Sequence, residues 1–149
     1  ADQDIGEAIF SKKNDGSNMN GNTTVTITDT SYDAPQPSYT YTFNRPDNKA
    51  FAFAVQIQDS PNLPANIVAL VQAAVVASFN GTDGSKRARM GTTVLAGKFY
   101  APISAIAPTV NVISVLLNIK PGTPNLTNVT LGIDQFPTLQ PSDVAVTLV

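Results

Sequence analysis

Apolar positions along the first forty residues change period once. Ile5, Ala8, Ile9 and Lys12 fall at helical spacing, and Asn14-Asp15-Gly16 supplies a stop, which predicts a helix from about Asp4 to Lys13. After a Gly- and Asn-rich connection ending at Asn20-Gly21, the period becomes two: Val25 and Ile27 alternate with Thr24, Thr26 and Thr28 in a half-buried strand. Tyr39, Tyr41 and Phe43 alternate with Thr40 and Thr42 in a second strand. Between them, Asp33-Ala34-Pro35-Gln36-Pro37 is too rich in proline for regular structure, so the pair is expected to be a hairpin with a long tip.

Asn44 to Ala50, containing Arg45-Pro46-Asp47-Asn48, reads as a boundary between two units. Phe51, Phe53, Val55 and Ile57 then alternate with Ala52, Ala54 and Gln56, giving a strand with one bulky face and one small face. Leu63 to Phe79 is apolar almost all round and predicts a long buried helix approaching that small face. Asn62 is its expected N-cap, Pro64 lies in its first turn and Asn80-Gly81 closes it. Ala65, Ala69, Ala73 and Ala77 recur every four residues, and internal close packing is the favoured reading of this stripe over a subunit contact.

Asn80 to Gly91 is a polar loop carrying Lys86, Arg87 and Arg89. Gly97 and Pro102 interrupt an apolar stretch from Thr93 to Ala107, where a short broken helix is expected. Val110 to Ile119 is apolar on both phases and predicts a central strand; Val129, Leu131 and Ile133 alternate in the next, and Val144, Val146 and Leu148 in the last. The order β-α-(α)-β-β-β predicts an α+β fold. Its mainly antiparallel sheet should carry one long buried helix and the short broken helix, preceded by the helix plus hairpin of another domain. The expected domains are 1–46 and 47–149.

Composition narrows the chemistry. The 149 residues contain no Cys and no His, which removes disulfides, thiolate nucleophiles, zinc–thiolate sites, imidazole ligands and the usual general base. Charged residues make up 13%, about half the ordinary share of roughly 25%, and the net charge is −2. With 9 basic against 11 acidic residues, no broad basic surface is available for a phosphate backbone, so no nucleic-acid partner is expected. The apolar run Ile67 to Ala77 is far shorter than the ~20 residues of a membrane span, and no membrane partner is expected. Ala1 stands where an initiator Met would, and no signal-peptide pattern follows, so a processed or partial chain is expected.

Glu7 is the one Glu in the chain and the Asp residues fall mostly in turns, which leaves no carboxylate pair for glycoside hydrolysis. Ser11-Lys12 and Ser85-Lys86 sit in turn-like contexts without a base. Gly81 to Lys86 lacks phosphate-loop spacing and follows a helix, while Asp15 to Gly21 has its Gly one place late for an EF-hand and no closing Glu. No enzymatic activity, cofactor or metal is expected. Asn22, Asn80, Asn125 and Asn128 begin N-x-[ST] triplets, which an Asn- and Thr-rich chain produces by chance. Tyr39 and Tyr41 could stack on a sugar, although alternation with Phe43 more simply makes them core. The cluster Lys86, Arg87 and Arg89 is the candidate partner contact, to be weighed against a merely solvated loop.

Several segments in order carry a resemblance. Ile5 to Lys13, Gly16, Gly21, the Thr/Val strand and Phe43-Asn44-Arg45-Pro46 resemble the middle of the baseplate J-like family of contractile phage tails. Phe79-Asn80-Gly81-Thr82-Asp83-Gly84, Arg87-Ala88-Arg89-Met90-Gly91, Phe99-Tyr100-Ala101-Pro102-Ile103, Gly132 to Leu139 and Val144 to Leu148 resemble its C-terminal domain. The resemblance implies a structural wedge component of a tail baseplate in a phage or prophage virion. Such a protein would be assembled in the bacterial cytoplasm, would contact other baseplate or tail subunits, and would have a larger N-terminal portion ahead of this sequence. It transfers no catalytic residue. The isolated fragment is expected to self-associate weakly or not at all. The alternative is a carbohydrate-binding or adhesive module of a tail fibre or bacterial surface protein.

Overall fold

Helix α1, Asp2–Lys12, and strands β1, Thr23–Thr28, and β2, Ser38–Phe43, make up the first of two compact units, Ala1–Arg45 and Pro46–Val149, in a computed structural model that describes residues 1–13 and 18–149. The expected stop at Asn14-Asp15-Gly16 and the start of the stretch at Asp15 lie outside the described residues. β1 and β2 pair antiparallel with Val25 opposite Tyr41 and Ile27 opposite Tyr39. Val25, Ile27 and Tyr41 form a small core with Ile9 and Phe10 of α1, while the opposite face is a ladder of hydroxyls, Thr26 on Thr40 at 3.3 Å and Thr28 on Ser38 at 3.1 Å. The tip is a loop, entered by an Asp29 N–H bond to the Pro37 carbonyl.

The second unit is built on β3, Asp47–Ile57, which starts four residues before the expected strand, inside the expected boundary loop. The reason lies far along the chain. Asp47 to Ala50 pair in parallel with β7, Gln135–Thr138, whose polar composition and Pro137 conceal a strand from pattern reading; proline is admissible at such a position because a sheet edge leaves one side without ladder bonds. β5, Val112–Ile119, runs antiparallel to β3, and β8, Val144–Leu148, runs parallel to its second half. The fold is α+β, as expected, but where a mainly antiparallel sheet is expected the main sheet is mixed, because β7 and β8 both run parallel to β3. β3, not the Val110 to Ile119 strand, is central to it.

β4, Thr93–Leu95, and β6, Asn128–Thr130, form a separate antiparallel pair. The expected Val129 to Ile133 strand therefore ends early and leaves the main sheet. Ile133 falls in a turn closed by the Gln135 N–H on the Gly132 carbonyl and stands 87% exposed. The expected broken helix is a 3₁₀ turn, Ala96–Phe99, running into α3, Tyr100–Ser104, with β4 ahead of it.

Helix α2, Ile67–Asn80, begins four residues after its expected start. Pro64 disfavours helical geometry at Leu63, so residues 60–66 form successive turns, Leu63 N–H to Ser60 O and Ile67 N–H to Pro64 O, and Asn66 rather than Asn62 occupies the cap. Gly81, at φ 71°, ends the helix in the left-handed conformation that glycine adopts without a Cβ penalty. The buried stripe is Ile67, Val71, Val75 and Phe79. Phe79 packs on Phe51 at 5.3 Å and Phe53 at 6.2 Å between ring centroids, so α2 lies on the bulky face of β3, not the small one. Ala69 and Ala73 are two residues out of phase with that stripe, about 200° round the helix, and are exposed. The expectation that the alanine stripe packs internally is thereby overturned; Ala65 lies outside the helix and Ala77 is half-buried.

Candidate functional site

The loop after α2 is held by its backbone, leaving its cationic side chains outward. Thr82 N–H bonds to Ala77 O at 2.9 Å, Ala88 N–H to Phe79 O at 2.9 Å, and Ser85 Oγ donates to Ser78 O at 3.1 Å. Asp83 Oδ1 accepts the Ser85 N–H at 2.9 Å, and bonding from Ser85, side chain and then backbone, holds the Asp83 carboxyl below its ordinary range. Ala88 packs against the main core, whereas Lys86, Arg87 and Arg89 are exposed.

Lys98, in the 3₁₀ turn, closes the arrangement. Its Nζ donates to Ser78 O at 2.7 Å and to the Lys86 carbonyl, bridging the last turn of α2 to the loop. Burial lowers the Lys98 pKa and the Asp83 carboxylate opposes that shift. A lone cation between Gly97 and Phe99 in an apolar segment is the one sequence feature that could have marked this role.

Among the described residues, Arg45, Lys49 and Lys120 form ion pairs, with Asp2, Asp47 and Asp143 respectively, whereas Lys86, Arg87 and Arg89 form none. Arg87 instead lies over the Phe136 ring, 5.6 Å from its centroid. Arg87 and Ala88 border two concavities. One, of about 270 Å³, also takes in Lys86, Lys98, Phe99 and Thr93–Leu95; the other, of about 370 Å³, takes in Arg89, Met90 and Phe136. Met90 and Leu95 are 45% and 55% exposed, and Ile133 sits beside Gly91. Sequence reasoning found the three cations and missed β4, Lys98 and Phe136, which reach the same surface from other parts of the chain.

The remaining sequence candidates have structural employment. Ser85 is tied to Ser78, and Ser11 Oγ donates to Ala8 O at 2.9 Å. Asn22 clasps Arg45, accepting its N–H at 2.7 Å and donating to its carbonyl at 2.8 Å. Tyr41 is buried between the hairpin and α1, and the Tyr39 ring stacks on Phe10 at 5.8 Å. Among the described residues, no group of three or more acidic side chains is gathered as a metal site would require, and no helix is long and apolar enough to cross a membrane.

Compared with protein-family models and with curated proteins, the sequence matches none.

Proposed function

We propose that this chain is a structural component of a contractile phage or prophage tail baseplate, a wedge subunit fragment that works by protein–protein assembly and not by catalysis. The observation that carries an assembly role is the loop at Lys86 to Arg89. Its three side-chain charges have no ion-pair partner among the described residues, its backbone is fixed by bonds to α2 and Lys98, and exposed Met90, Leu95 and Ile133 surround it. Arg and Met are enriched at protein interfaces, and charge on a rigid loop sets docking register and suppresses wrong partners. The baseplate assignment itself draws on the order of segments resembling the baseplate J-like family. In this reading residues 1–46 close a preceding domain, residues 47–149 form the C-terminal one, and the partners are other baseplate or tail subunits within the virion.

The test is removal of residues 47–149 from the protein in a particle-producing strain, followed by electron microscopy and infectivity. Loss of baseplates is expected. Complete, infectious particles would overturn the reading, and intact particles that fail only to adsorb to host glycans would replace it with the adhesive alternative.

A further inference from the structure

Strand β4 has one partner, β6, among the described residues, so one of its edges is open. The register says which backbone groups that edge offers. Thr92 O accepts the Leu131 N–H at 3.0 Å and Ala96 N–H donates to Thr127 O at 2.8 Å, so ladder bonds toward β6 fall at even-numbered positions. In an antiparallel pair alternate residues turn their N–H and C=O to opposite edges, which directs those of Thr93 and Leu95 away from β6. Thr93 and Leu95 line the same 270 Å³ groove as Lys86 and Arg87.

An unpaired strand edge is a template for another strand, and proteins commonly blunt such an edge with charged side chains. Here the charge beside the edge is positive, carried on a loop whose backbone is held in place, and without an ion-pair partner among the described residues, in a chain of net charge −2. It repels a basic or identical cationic edge and attracts an acidic one. Exposed Leu95 adds an apolar surface, which an unbroken run of acidic side chains would leave unmatched.

We propose that the outer edge of β4 takes up an extended segment of a partner protein as an added strand, with acidic side chains meeting Lys86 and Arg87 and apolar ones between them lying along Leu95. Main-chain bonds to Thr93 and Leu95 supply the attachment, and the side chains supply the choice of partner. The three residues of β4 span about 10 Å, enough for a segment of roughly three to five residues. This proposal deepens the assembly role, resting on the reading of Lys86 to Arg89 as a docking loop.

The test titrates the whole 149-residue chain, isotope-labelled, with a synthetic octapeptide of alternating Asp and Val, blocked at both ends. The expected result is saturable amide shifts and slowed hydrogen exchange at Thr93 and Leu95. Of two N-methylated isomers, blocked on one strand edge or the other, one binds and the other loses at least tenfold in affinity. Lys86→Glu/Arg87→Glu also loses at least tenfold, Lys86→Gln/Arg87→Gln loses less, and a Lys/Val peptide gives no saturable shift. Equal binding by both N-methylated isomers, or no saturable shift at Thr93 and Leu95, overturns edge pairing. Unchanged affinity in both charge variants overturns the acidic partner. If the peptide fails while particles still require residues 47–149, the strand edge alone is retired. If it binds while particles lacking those residues are complete, the wedge role alone is retired.

Discussion

Gly6 faces Val25 so closely that a Cβ built on the glycine would lie 2.6 Å from Val25 Cγ1 and 3.0 Å from Ile27 Cδ1. The missing side chain lets α1 lie against the hairpin. Alanine ordinarily strengthens a helix interior by about 0.5–1 kcal/mol over glycine, but a clash with a stiff β-branched neighbour costs about 1–3 kcal/mol. Gly6→Ala is therefore expected to destabilise the first unit by about 1 kcal/mol in denaturant unfolding followed by tyrosine fluorescence. The same substitution should cost less in a Val25→Ala background. Equal cost in both backgrounds would remove the clash as the cause.

The two faces of α2 make a paired prediction. Val75 is fully buried and Ala73 is exposed. Val75→Ala is expected to cost about 2 kcal/mol from lost burial and the cavity left behind, whereas Ala73→Leu should stay within about 0.5 kcal/mol. A large loss from Ala73→Leu in the isolated chain, read from the unfolding midpoint, would contradict the exposed placement of that residue.

What could be read from the sequence was what local pattern controls. The Thr/Val and Tyr/Thr alternations, the bulky face of β3 and the C-cap at Gly81 are each set by neighbours within a few residues, and the structure has them there. β7 was hidden because Gln135–Thr138 is strand only by virtue of pairing with Asp47 to Ala50, nearly ninety positions earlier. The alanine stripe misled for a related reason. On a helix apolar all round, spacing alone does not tell which face meets the sheet, and the bulkier Ile67, Val71, Val75 and Phe79 take it. Of the candidate site, the charges were visible and their setting was not, since Lys98 and the β4 edge join the loop only after folding.

Acid should act on the hairpin through Asp29. Its Oδ1 accepts the Ser31 hydroxyl at 2.5 Å and the Ser31 N–H at 3.0 Å, and these bonds, the hydroxyl first, hold the carboxyl below its ordinary 3.8. A pKa lowered on folding means that the unfolded chain binds more protons in this window. The stabilising contribution is thus complete above pH 3.8 and is lost as pH falls through the lower folded value. Ser31→Ala is expected to raise the Asp29 midpoint toward 3.8 without reaching it, because the backbone bond remains. Carboxyl-carbon NMR checks this, and an unmoved midpoint would show the hydroxyl to be irrelevant.

Lys98 offers the sharpest test of how the cationic loop keeps its shape. Its ammonium serves two carbonyls, Ser78 at the end of α2 and Lys86 in the loop, and hydrogen bonds from a charged donor contribute about 1.5–3 kcal/mol. Partial exposure lets water replace some of that, so Lys98→Met should cost about 1–2 kcal/mol in global stability. The local effect should be larger than the global one. Without the bridge fewer bonds hold the loop, so the Ala88 amide, which donates to Phe79 O, is expected to exchange faster while amides in the middle of β3 keep their protection. Lys98→Gln, which preserves one donor group, should restore part of the Ala88 protection. Unchanged exchange at Ala88 in Lys98→Met would mean that α2 and Ser85 alone hold Lys86 and Arg87 in place.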